Sequence, residues 1–233
     1  MLPDDLPLWR TISDLRNNRL MNAKELVTRI RTELHPGEHD NLVVNLIETG
    51  KAPRSVIATF AAEESHIVSS DWRTFLSLAA KAEEPNARAF FTLLAGGEEL
   101  VLPMLQPLAE AAGMKPGDFQ NYEPFPGCQS YPAYQAWMAL NGEPTDVILA
   151  ILANFTAWGG YCARMAKGLR EHYGFSDEAC AFVDFFATPA PQLEDRAIAA
   201  VQAALDAGWQ PKHAWRYGRL LQSYELQFWS TLA

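Results

Sequence analysis

Cysteine is scarce in this chain, and the three present, Cys128, Cys162 and Cys180, are odd in number and show no CxxC spacing. That pattern argues against a disulfide framework and a zinc site, so three packed, reduced thiols are expected. Long hydrophobic runs are missing as well: none approaches the roughly 20 apolar residues that span a bilayer. The opening MLPDDLPLWR is not basic, and no apolar signal core follows it. A cytoplasmic protein with no membrane partner is therefore the expectation. Positive charge is also short, with 19 Lys and Arg against 28 Asp and Glu, and no basic run offsets the formal charge of −9. Such a surface is a poor match for a phosphate backbone, so no nucleic-acid binding is expected.

Also absent are a Gly-rich phosphate loop, an HExxH pair and a nucleophile elbow. There is no fixed-period repeat, no low-complexity tract and no pair of alternating strands joined by a turn. What the chain does carry is helical periodicity. After a lead-in over residues 1–21, Asn22 caps a helix bearing Leu26, Val27 and Ile30, which His35-Pro36-Gly37 ends. A second helix is predicted from Asp40 to Glu48. A third opens at Pro53, with Val56, Ile57, Phe60, Ile67 and Val68 at helical spacing. From Pro85 the period continues to Gly113, with a bend predicted at Gly96-Gly97 and Pro103. Lys115 to Gly127 reads as a loop, Tyr131 to Leu140 as a short aromatic helix, and Pro144 to Tyr173 as a long helix stopped by Gly174. Asp177 to Phe186, Leu193 to Ala207 and Ala214 to Ala233 complete eight or nine helices in a single all-α domain spanning 1–233.

The last of these helices carries the most informative polar residue. Tyr217, Leu220, Leu221, Tyr224 and Phe228 recur at steps of three and four and form one buried stripe. Glu225 lies beside that stripe, four residues after Leu221 and four before Trp229, so its carboxylate leans toward aromatic surface. A raised pKa and acid/base work are expected there; the structural alternative is a Glu hydrogen-bonded at the edge of the core. Other polar residues on apolar helices are Glu64, Tyr131 and Asn154, the last interrupting AILANFTAWGGY. Glu63 and His66 form one Glu-x-x-His pair, half of a di-iron constellation. No second pair exists, because Val101 and Leu102 follow Glu98 and Glu99 at the required offset. No metal site and no cofactor are expected; Glu63, His66 and Glu98 are the weak candidates for a metal.

Two stretches resemble the TenA family. The segment from Gly50 to Arg73 is similar to the TenA segment in which a Gly-x-x-Pro turn opens a helix bearing a Gln-Asp pair and ends in Arg, and SYELQFWSTLA resembles the TenA terminal helix with its Glu and Phe-Trp. The likeness covers Leu42 to Ala233. It implies the haem-oxygenase-like helical bundle shared by TenA-type thiaminases, the oxidase PqqC and the related di-iron oxidases. It also implies that Glu225 is the catalytic glutamate, that Glu64 stands where an aspartate binds the aminopyrimidine, and that Tyr131 is an active-site tyrosine. Departures accompany it: Ala153-Asn154 replaces the Pro-Cys pair bearing the nucleophile, and Ile67 replaces a second tyrosine. Pro189, Leu193 and Arg196 fall where the di-iron branch has ligands. An amide cannot serve as a thiolate nucleophile.

The resulting expectation is a divergent TenA-like protein that binds a small nitrogenous or aromatic molecule in the bundle core. Glu225 would act as acid/base, and Glu64, Tyr131 and Asn154 would bind the ligand. As an enzyme it would be a cysteine-independent hydrolase related to thiamine-pyrimidine salvage. The alternatives are an oxidase of the PqqC or non-haem iron kind, and a non-catalytic regulatory or interaction protein. The resemblance further implies a homo-oligomer.

Overall fold

The computed structural model describes residues 21–34 and 41–233, with Thr156 described by its backbone alone. Within them lie eleven α-helices and one 3-10 turn, and no strand. In chain order the helices are α1 (Ala23–Glu33), α2 (Leu42–Glu48), α3 (Arg54–Lys81), α4 (Pro85–Val101), α5 (Leu105–Ala111), α6 (Pro116–Gln120), α7 (Pro126–Asn141), α8 (Pro144–Tyr173), α9 (Asp177–Ala187), α10 (Pro191–Asp206) and α11 (Ala214–Leu232). Residues 1–20 of the lead-in, His35-Pro36-Gly37 and Asp40 lie outside the described residues.

Local chemistry explains most of the boundaries. Asn22 accepts from the Glu25 amide while the Glu25 side chain accepts from the Asn22 amide, a closed capping box at the start of α1. Asn41 caps α2 in the same way through the Val44 amide. Proline opens α4, α6, α7, α8 and α10, where its missing N–H costs nothing and its fixed φ suits the first turn. Gly174 ends α8 at φ 68°, a left-handed geometry that disfavours other residues.

Three expectations need correction. The number of helices exceeds eight or nine because the stretch read as a loop after Lys115 contains α6, and because the Pro85–Gly113 run divides into α4 and α5; α7 also begins at Pro126 rather than Tyr131. Two prolines close together are a helix start here, not a break. The Pro85–Gly113 run bends at Pro103, where Leu102–Met104 tightens to a 3-10 turn, while Gly96 and Gly97 stay helical. Proline removes a hydrogen bond outright, whereas helical glycine costs only about 1 kcal/mol, which the packing of Phe90, Phe91 and Leu94 outweighs. Finally, α8 is long and apolar enough by length and composition to cross a membrane, but 59 % of its most apolar window is buried inside the bundle, as suits a core helix.

The apolar core is divided. One cluster takes Phe75 and Leu78 of α3, Phe90 to Ala95 of α4, Met138 of α7, Val147 to Ala153 of α8 and Tyr217 and Leu221 of α11. The other takes Ile57 to Val68 of α3, Val101 of α4, Cys128 of α7, Cys162 to Leu169 of α8, and Phe228 and Trp229 of α11. Five helices therefore pass from one cluster to the other. The polar residues Asp71, Glu98, Tyr131, Gln135, Asn154 and Glu225 all fall in the gaps between those sets, forming a polar layer between two apolar halves.

Glycine sets the spacing of α8 against α2. A Cβ on Gly168 would lie against the Ile47 carbonyl oxygen and 2.6 Å from the Glu48 Cα. Backbone cannot move aside as a side chain can, so Gly168→Ala is expected to cost about 1–3 kcal/mol. Gly160 on the same helix has open space around its Cβ position. Gly160→Ala should gain up to about 1 kcal/mol from helix propensity. Urea melts of the two variants should move in opposite directions.

Candidate functional site

Glu225 is held from two sides. Its Oε2 accepts a short hydrogen bond from Asn154 Nδ2, and its Oε1 accepts from Trp229 Nε1 at 3.2 Å. Trp229 is itself immobilised, stacked on Phe60 at 5.7 Å between ring centres and flanked by Trp158 and Tyr161. Burial raises the Glu225 pKa above the usual carboxylate range, and the two donors pull it partly back. The lean toward aromatic surface read from spacing is thus realised in geometry, because Trp229 lies one helical turn beyond Glu225.

Glu64 is 4 % exposed and accepts no hydrogen bond from any described residue. Burial pushes its pKa well up, and Asp71, Glu225 and Glu63 add to the effect. Glu98, partly buried on α4, is raised first by burial and then by Asp71 and Glu64. Tyr131 is raised by burial and, in smaller measure, by Asp71, Glu225, Glu64 and Glu98, and its hydroxyl lies 3.3 Å from Gln135 Nε2. Asp71 is raised by burial to about 8, with the Gln135 hydrogen bond opposing. Among the described residues none of these four carboxyls forms an ion pair. Carboxyls of raised proton affinity without a cationic partner suit both proton transfer and the binding of a cation.

The remaining sequence candidates lie elsewhere. Glu63 is fully buried, and its carboxylate accepts from Tyr122 Oη at 2.8 Å, the Phe125 amide at 2.7 Å and Gln129 Nε2 at 3.2 Å. His66 Nε2 lies 3.2 Å from the Tyr122 carbonyl. Both side chains therefore tie the 122–129 segment to α3, while Glu98 belongs to the polar layer. The three do not converge, and no group of three or more His, Cys, Asp or Glu among the described residues could hold a metal ion. Arg196 donates to Asn86 at 3.0 Å on the surface. Removing the Glu63 carboxylate would strand a backbone amide and two side-chain donors, so Glu63→Ala is expected to cost about 2–4 kcal/mol in chemical unfolding.

No thiol competes with Glu225 as a reactive group. Cys128, Cys162 and Cys180 are all free and buried, as the sequence suggested. Burial, with Glu64 and Glu225, raises the Cys162 thiol well above the usual thiol range. Burial pushes Cys128 up to about 12.

Sequence reasoning did not single out Asp71, Gln135 or Trp229 as site residues. Asp71 carried a usable signal: it follows Glu64 by seven residues, two helical turns, on a helix whose apolar period places both on the inner face. Gln135 carried a weaker one, four residues after Tyr131.

A family model described as TENA/THI-4/PQQC matches residues 37–231. The chain belongs to the TENA/THI-4/PQQC family. A TenA homologue from Pseudomonas syringae pv. tomato superposes with a TM-score of 0.71 at 12 % identity, covering 91 % of this chain and 96 % of the other. A protein from Silicibacter described as a TenA family transcription regulator gives 0.69 at 14 % identity, with 89 % and 96 % coverage. A domain from Shewanella denitrificans, described as having a haem-oxygenase-like fold, gives 0.57 at 14 %, with 92 % and 97 % coverage. At these identities the likeness is one of fold, and the bundle is haem-oxygenase-like as the resemblance implied. No curated protein matches the chain. Within the TENA/THI-4/PQQC bundle, Asn154 stands in direct contact with Glu225 rather than presenting a nucleophile of its own.

Proposed function

We propose that this chain binds a small nitrogenous molecule in the polar layer and hydrolyses it without a cysteine, with Glu225 as the acid/base group. The observation that carries the reading is the Asn154–Glu225–Trp229 arrangement: an oriented carboxyl of raised proton affinity, with no reactive thiol beside it. In the ionised form Glu225 takes a proton from water as the water oxygen attacks the substrate carbon. The same carboxyl then returns that proton to the departing nitrogen, so a C–O bond forms as the C–N bond breaks. Tyr131 and Glu64 orient the ligand. An amino-substituted heterocycle fits, since the carboxyls accept from its N–H groups and the Trp229, Tyr161 and Trp158 rings offer a stacking surface. A cytoplasmic location, consistent with three unpaired thiols, and assembly into a homo-oligomer are part of this proposal.

The test is incubation with a panel of aminopyrimidines, followed by mass spectrometry for products carrying an added water and a lost amine. Turnover under metal-free, anaerobic conditions supports hydrolysis. Turnover that requires dioxygen supports the oxidase reading instead. Binding of the panel without any turnover points to a sensor or regulatory role.

A further inference from the structure

Helix α4 is apolar on two sides. Phe90, Phe91, Leu94 and Ala95 are buried in the core, yet on the outer side of the same helix Leu93 is 45 % exposed and Leu100 61 %. Ala89, Leu93, Gly96 and Leu100 follow one another at steps of four, three and four, the a/d spacing of a seam that packs against another helix. Phe185 of α9, 37 % exposed, widens this surface, its ring 3.6 Å from where a Gly97 Cβ would stand. A contiguous exposed apolar stripe of this kind marks an interaction site.

Shape and charge say what covers it. A Cβ at Gly96 would meet nothing within 4 Å, so packing inside the chain gives no reason for a residue that weakens a helix interior. Gly96 is a gap in the stripe beside Leu93, and a leucine arriving from a second α4 would fill it. Arg88 and Glu99 are both exposed and lie eleven residues apart, three full turns, so they share one flank of the stripe. Arg88 donates to the Ala82 and Glu83 carbonyls, which fixes it at the start of α4. Neither Arg88 nor Glu99 forms an ion pair among the described residues. Two copies of α4 set antiparallel about a two-fold axis between Leu93 and Gly96 would put each Leu93 against the partner's Gly96. Each Ala89 then meets the partner's Leu100, and each Arg88 comes beside the partner's Glu99. The stripe is complementary to itself, large against small and basic against acidic, as a two-fold contact requires.

We infer that the outer face of α4 is the contact between two copies of this chain, packed antiparallel along residues 89–100 with two Arg88–Glu99 ion pairs at its rim. This rests on the homo-oligomer in the function proposed above and names its surface.

Sedimentation equilibrium of the full chain tests it. At about 50 µM the wild-type mass should be an even multiple of 26.0 kDa. Leu93→Glu and Leu100→Glu should each halve that mass, because each buries an unpaired carboxylate in the seam. Leu140→Glu, at an 81 % exposed leucine on α7, should leave it unchanged. Glu99→Arg sets like charges together and should weaken association at least about threefold, and adding Arg88→Glu should restore it. Circular dichroism establishes that each variant is folded. A wild-type mass that survives both substitutions in the stripe, or a charge-exchanged double variant that shows no recovery, overturns this seam and leaves the homo-oligomer standing. A wild type that stays at 26.0 kDa overturns the seam and the homo-oligomer together, while the aminopyrimidine panel judges hydrolysis separately.

Discussion

Glu225→Gln is expected to lower the turnover number by about 10²–10⁴-fold, the usual span for loss of a general acid/base group. The amide keeps the size of the side chain and can still accept from Asn154 through its oxygen. Affinity for an unreacted ligand should therefore change by less than about tenfold, and the loss should appear in kcat rather than KM. A pH profile sharpens the test. Because burial raises the Glu225 pKa, the acid limb of the wild-type profile should lie above the ordinary glutamate range, and residual activity of the variant should lack that limb. An unchanged turnover number, or a limb that persists in the variant, would remove Glu225 from the reaction. Asn154→Ala should act more mildly: it frees Glu225 Oε2 and raises the carboxyl pKa further, moving the acid limb toward higher pH.

The second large effect is on stability, and its sign runs against the common expectation for acidic residues. The ligand-free protein should lose stability as pH rises from about 5 to about 8. Folded Asp71 keeps its proton up to about 8, whereas an unfolded aspartate releases it near 3.8. Between those values the folded state binds more protons than the unfolded one, so stability falls with pH across that window. The groups facing Asp71 are Glu64 on its own helix, Glu98 on α4, and Tyr131 and Gln135 on α7; Glu64 and Glu98 are raised in the same direction and add to the slope. A tenfold change in proton affinity is worth about 1.4 kcal/mol, so the Asp71 contribution is on the order of a few kcal/mol. Asp71→Asn should flatten the dependence and melt above wild type at pH 8, the gap narrowing toward pH 5. Parallel melting curves for the two proteins across this range would show that Asp71 is not the group that titrates.

Much of the fold was legible because its punctuation is local. The Asn22 cap, the prolines that open α4 and α8, and Gly174 each act through the backbone of a few neighbouring residues, so their meaning does not depend on the rest of the chain. Where reading failed, packing had overridden a local preference, as at Gly96-Gly97, or one residue had two local meanings, as at Pro126, which opens a helix where it had been read as loop. Glu225 was legible as a buried carboxylate because Trp229 lies one turn away on the same helix.

By itself, the sequence determined an all-α bundle, its main helix boundaries, the reduced cysteines and the acid that leans on aromatic surface. Tertiary structure alone decided which polar residues meet. Glu63 and Glu64 are adjacent in the chain, yet one serves the 122–129 segment and the other the polar layer. Asp71, Glu98, Gln135, Asn154 and Glu225 come from five helices and share a layer only because each helix crosses from one apolar cluster to the other at the same level. Periodicity states which face of a helix turns inward; it carries no information about the height at which helices far apart in sequence are set against one another.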